Sequence, residues 1–184
     1  MSLMLQNFIL FQVGWFTCVI GGASRDYYWA GVVVVAAIVV AHLLRAKNMR
    51  NEAMLILITM TVGSAWDSVL MMAGIFSFSH GVMFAGLVPF WMIAMWALFA
   101  TTLNVSMKWM KNRYLLATAF GAIGGPVAYY AGFRIGAVEF ENTVTALLAV
   151  GAGWSVIMPL LMGLTTRFNG YHSHQNDIYG VKTA

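Results

Sequence analysis

Residues 52–76 read EAMLILITMTVGSAWDSVLMMAGIF, and the fold turns on how that stretch is understood. It is long and apolar enough to cross a bilayer, whose hydrocarbon core needs about 20 such residues. Yet it carries a carboxylate, Asp67, well inside the crossing. An acid at that depth costs about 2.5–3.5 kcal/mol on insertion scales, so other segments must receive it. On a helix, three-and-four spacing puts Gly63, Ser64, Asp67, Ser68, Met71 and Gly74 on one face. Val62, Trp66, Val69, Leu70 and Ala73 cover the other. The first face is small and polar and suits helix contact; the second suits lipid.

The remainder of the chain agrees with a membrane setting. Of 184 residues, 61% are hydrophobic and 9% charged, and the mean hydropathy is +0.79. Soluble domains carry about 25% charged residues. The basic balance of +4 does not read as a nucleic-acid footprint, which needs Lys and Arg clustered on a solvated face. Here ten basic residues are scattered between apolar segments and read as topology signals.

Six segments are long enough to span: 4–22, 27–45, 52–76, 82–104, 113–134 and 143–165. Arg45, Lys47, Arg50, Lys108, Lys111, Arg113, Arg167 and Lys182 all fall on one side of such a bundle, with only Arg25 and Arg134 on the other. By the positive-inside rule both termini are cytoplasmic. The expected architecture is an all-α six-transmembrane-helix bundle over residues 1–165 with a short cytoplasmic tail, 166–184. The first segment has no Lys or Arg before its apolar run, which argues against a cleaved signal peptide, although Gly21 and Ala23 are small enough for one. The single cysteine, Cys18, excludes a disulfide framework.

Small residues mark close helix approaches. Asn7, Phe11, Gly14, Cys18 and Gly22 line one face of the first helix, and Gly121 and Gly125 form a GxxxG in the fifth. That motif serves packing within one chain or between chains, so oligomeric state stays open. The run 32–40 has no polar atom and reads as lipid-facing, with His42 and Arg45 snorkelling at its inner end. Pro89 and Pro126 are read as kinks in the fourth and fifth helices. At 1.5 Å rise per residue, Asp67 lies roughly 13 Å below the outer end of its helix, and Gln12, Pro89 and Pro126 come out at similar depth. The candidate binding layer is therefore Asp67 with Gln12, Ser64, Ser68, Tyr129, Tyr130 and Arg134.

Intramembrane acids are functional candidates by default; the alternative role for Asp67 is a hydrogen-bonded clamp between helices. Fourteen methionines suggest soft-metal chemistry, but they are dispersed, and gap-filling accounts for them. His172 and His174 form a weak HxH signal in the tail. No metal site, cofactor or catalytic residue is assigned, because no GxSxG, HExxH, CxxC or phosphate loop is present.

Four stretches carry a family likeness: FQVGWFTCVIGG (11–22), SAWDSVLMMAGIF (64–76), PFWMIAMWALFATTLNVSMKWM (89–110) and GAIGGPVAYYAGFRIGAVEF (121–140). Over nearly its whole length the chain resembles a family of small bacterial inner-membrane proteins of unknown function, DUF2878-like, the last stretch being the most specific. The resemblance implies six helices in a Gram-negative inner membrane and genes beside those for modified fatty acids. It supplies no activity and no catalytic residue. The expected function is lipid or acyl-chain binding through a pocket around Asp67, accessory to fatty-acid-modifying enzymes, with membrane lipid as partner. The alternative is a small proton-coupled transporter using Asp67.

Overall fold

The computed structural model describes residues 2–171. Six α-helices form: α1 (Leu3–Gly22), α2 (Ala30–Arg45), α3 (Met49–Met72), α4 (Phe90–Leu103), α5 (Tyr114–Ile135) and α6 (Thr143–Arg167). Two short strands, β1 (Phe76–Phe78) and β2 (Val138–Phe140), and one 3₁₀ turn (Lys108–Met110) join them. Helices α1, α3, α5 and α6 are long and apolar enough to cross a membrane, and α2 and α4 are shorter apolar helices.

Local chemistry sets the boundaries. Ser2, Asn48 and Asn142 cap α1, α3 and α6, each side chain accepting the backbone N–H three residues on. Gly136, at φ 93°, closes α5 in the left-handed conformation that costs glycine least. Gly74, at φ 70°, turns the chain after α3, so Phe76 leaves the helical stretch and enters β1.

The perimeter is apolar: Leu44, Leu115, Ile123 and Leu148 are 71, 89, 67 and 70% exposed. Patches of that kind on a monomer need an apolar surrounding, and with the four long apolar helices they identify a membrane protein. At the centre stands α4, packed on α1, α2 and α3, with ten of its fourteen residues buried. A helix apolar on all sides belongs in an interior.

The fourth expected span is therefore corrected. Residues 82–89 form no helix, and Pro89 sits at the N-cap of α4 with extended geometry, φ −61° and ψ 149°. Proline has no N–H to lose at a helix start, so Pro89 begins the helix and does not kink it. Pro126 does lie inside α5. The run 32–40 is corrected in part, since Val35 and Ile38 turn inward. His42 is also buried and does not snorkel.

Glycines set the helix spacing. The tightest pair is α5 with α6, where a Cβ on Gly121 would overlap the Trp154 carbonyl and one on Gly125 would stand 2.5 Å from the Trp154 ring. The GxxxG is thus used inside the chain. A Cβ on Gly31 of α2 would lie 2.6 Å from the Cys18 backbone of α1, and Gly14 and Gly22 of α1 make room for Leu98 and Trp91, so the small seam of α1 receives both α2 and α4. The strands pair antiparallel, Phe76 opposite Phe140, and tie the end of α3 to the start of α6. The tail is helical to Arg167, and the segment after it folds back on α3. His172, His174 and the remainder of the tail lie outside the described residues.

Candidate functional site

Two glycine–polar pairs, each one helical turn apart, build the centre. In α3, a Cβ on Gly63 would overlap the Trp96 indole, so its absence lets that ring lie flat against the helix. Four residues on, Asp67 Oδ2 accepts the Trp96 Nε1–H at 2.7 Å. In α5, Gly125 likewise receives the Trp154 ring, and four residues on Tyr129 donates its hydroxyl to Asp67 Oδ1 at 2.5 Å. The two indoles stack between these helices, centroids 4.8 Å apart and 19° from parallel. Asp67 is fully buried, and its two oxygens face one donor each, from α4 and α5. Such an acceptor stabilises the packing because an unpaired buried donor costs about 1–3 kcal/mol.

Beside this clamp lies a cavity of about 340 Å³. Phe11, Gln12, Trp15 and Val19 of α1 form one wall; Trp91, Met92, Met95, Trp96 and Phe99 of α4 form the floor. The opposite wall is α5 from Phe120 to Gly132, roughly 18 Å of helix. That volume over that length makes a slot, longer than it is wide. It is partly open, and two of its lining residues on α5, Phe120 and Val127, are 39 and 63% exposed. The lining is almost wholly apolar. Tyr129 and Trp96, both bonded to Asp67, reach the slot, while Asp67 stands behind them.

The expected polar layer is divided. Asp67 and Tyr129 meet, and Gln12 lines the slot without bonding Asp67. Ser68 Oγ accepts the Val88 N–H at 3.1 Å and so anchors the loop before α4. The Ser64 hydroxyl is buried with no partner among the described residues. Tyr130 and Arg134 stay outside: one residue on from Tyr129 is about 100° round the helix. They pair with each other on the exposed face, Arg134 Nη1 donating to the Tyr130 hydroxyl at 3.5 Å.

Trp96 and Trp154 were not foreseen as partners. Their signal is a glycine one turn before a polar group, in α3 and again in α5.

A second buried carboxyl, also unforeseen, sits at the opposite end of the bundle. Glu52 is fully buried at the start of α3. Its Oε1 lies 2.8 Å from His42 Nε2, and its Oε2 accepts from Asn104 Nδ2 and the Gly170 N–H, each at 2.9 Å. The Tyr171 hydroxyl donates to the His42 carbonyl at 2.7 Å and lies 3.1 Å from His42 Nδ1. Burial, then the Glu52 charge, push the Tyr171 hydroxyl up to about 12, with Arg45 opposing. Four elements thus converge on one carboxylate, which pins the segment after α6 against α2, α3 and the end of α4.

No group of three or more His, Cys, Asp or Glu side chains among the described residues is placed to hold a metal ion. No curated protein matches the chain. No solved structure matches it either. Residues 4–160, most of the chain, match the family described as Protein of unknown function (DUF2878), and the chain belongs to that family.

Proposed function

We propose that the protein binds a lipid acyl chain in the slot between α1 and α5, as a non-enzymatic membrane component. One observation carries this reading: the cavity is apolar, runs along α5 between α1 and α4, and includes residues exposed at the perimeter among its lining. Ligand sites of about 300–1,000 Å³ lined by apolar side chains with few polar groups are the usual form of small-molecule pockets. A slot facing the hydrocarbon admits a chain without passage through water. Asp67 serves it indirectly, holding Trp96 and Tyr129 as parts of the wall.

The reading includes six crossings and cytoplasmic termini in a bacterial inner membrane. It is supported by the Lys- and Arg-bearing connections gathering where α1 begins and α6 ends. Enzymes that modify fatty acids are the partners it suggests. A proton-coupled transporter would need a carboxyl open to one aqueous face. Both Asp67 oxygens instead face donors within the bundle, which weighs for binding.

A bromine-labelled stearate titrated into the purified protein tests the reading. Trp91 and Trp96 line the slot and are 1 and 2% exposed, so a chain seated there brings its bromine against rings that lipid at the perimeter does not touch. Saturable quenching is expected, weakened about tenfold or more by Ala128→Phe at an unchanged unfolding temperature. Absence of saturable quenching, or quenching indifferent to Ala128→Phe, would refute it.

A further inference from the structure

Among the side chains that line the slot is one amide that the acyl-chain reading leaves unused. Gln12 is the tenth of the twenty residues of α1, roughly 14 Å from either end of the helix. Its side chain lines the slot, and its amide has no hydrogen-bond partner among the described residues. The other inward amides are satisfied. Asn7 Nδ2 donates to the Thr101 carbonyl at 3.1 Å and its Oδ1 accepts from Ser106 at 2.7 Å. Asn104 serves Glu52 and the Phe168 carbonyl. In hydrocarbon an unpaired amide costs several kcal/mol, with no water to take its place. Of the slot's other polar groups, the Tyr129 hydroxyl and the Trp96 N–H are committed to Asp67 and the Trp91 N–H to the His80 carbonyl, while the Trp154 N–H, buried without a partner among the described residues, can only donate.

We infer that Gln12 is a specificity residue, and that the chain it selects carries a hydrogen-bonding oxygen, a hydroxyl or carbonyl, deep along its length. A hydroxyl satisfies the amide fully: it accepts from Nε2 and donates to Oε1. The helix depth of Gln12 places that oxygen about half a bilayer from the interface, in the distal half of a chain anchored by its carboxyl. A plain hydrocarbon chain in the same place leaves both amide groups unpaired. This inference rests on the acyl-chain reading and adds the class of chain.

The test is displacement of bromo-stearate by two competitors: stearate, and a hydroxystearate with its hydroxyl in the distal half. Wild-type protein is expected to prefer the hydroxystearate by roughly tenfold, one hydrogen bond to an otherwise unpaired amide. Gln12→Leu is expected to bind both equally and to keep or raise the unfolding temperature, since it removes an unpaired amide. Equal affinities in wild type would overturn the role of Gln12 and leave acyl-chain binding standing. A preference that survives Gln12→Leu would overturn it too. Binding of neither competitor would fail the acyl-chain reading itself, and this inference with it.

Discussion

Gly63 and Asp67 act on the same ring. The glycine makes room for the Trp96 indole and the carboxylate fixes its N–H, so neither residue does its work without the other. Gly63→Ala should therefore destabilise by about 1–3 kcal/mol or more, the cost of overpacking a filled interior. Gly124→Ala is the contrast: its Cβ would meet only the Phe120 ring, at 3.6 Å or more. There the loss of glycine's backbone freedom should stabilise by about 0.5–1 kcal/mol. Thermal unfolding of both variants in one detergent checks the pair. At Asp67 the order of damage follows from acceptors: Asp67→Asn keeps one oxygen, whereas Asp67→Leu strands the Trp96 and Tyr129 donors. The second should cost about 1–3 kcal/mol per stranded group, read by the same unfolding measurement; equal damage from the two would contradict the clamp. Asp67 and Tyr129 were legible in the sequence because an acid in an apolar run demands a donor at matching depth. Trp96 was not, because seven tryptophans are spread along the chain and spacing does not say whose ring crosses to which helix.

At the scale of elements, α4 and the segment after α6 show where reading by pattern stops. Six apolar segments were legible from length and hydropathy, but residues 82–89 are as apolar as a helix and form none. Apolar composition reports surroundings, and a loop among apolar neighbours carries it equally well. The proline before α4 was the usable boundary, by its missing N–H. The Glu52 site was hidden for another reason: at a segment edge an acid reads as solvated, and only the returning chain at Gly170 reveals it as buried. Glu52→Ala would strand His42, Asn104 and the Gly170 N–H together. The expected result is faster tryptic cleavage after Arg167 in the folded protein, with Glu52→Gln intermediate. The same docking depends on pH through Tyr171. Its hydroxyl is held from 10 up to about 12, so the folded state keeps the proton more tightly than the unfolded one. That contribution is complete below pH 10 and disappears as pH rises to about 12. Wild type should lose thermal stability across that window, and Tyr171→Phe should lack that component.

Over the whole molecule, buried carboxylates sit at two levels, and the slot runs beside the deeper one. Asp67 braces the three helices α3, α4 and α5, and Glu52 draws α2, α3, α4 and the segment after α6 together at the other end. Between α1 and α5 contacts are few, and there the slot lies. The membrane class was legible because hydropathy sums over the chain. The slot was not, because a gap between helices is a property of packing that no single segment encodes. Its occupancy is the central claim, and a stearate bearing a mid-chain diazirine addresses it most directly. Irradiated in membranes containing the protein, it should leave adducts on slot residues such as Met95, Gly124 and Ala128, competed away by excess unlabelled chain. Adducts confined to perimeter positions such as Leu115 and Leu148, and indifferent to competitor, would contradict it.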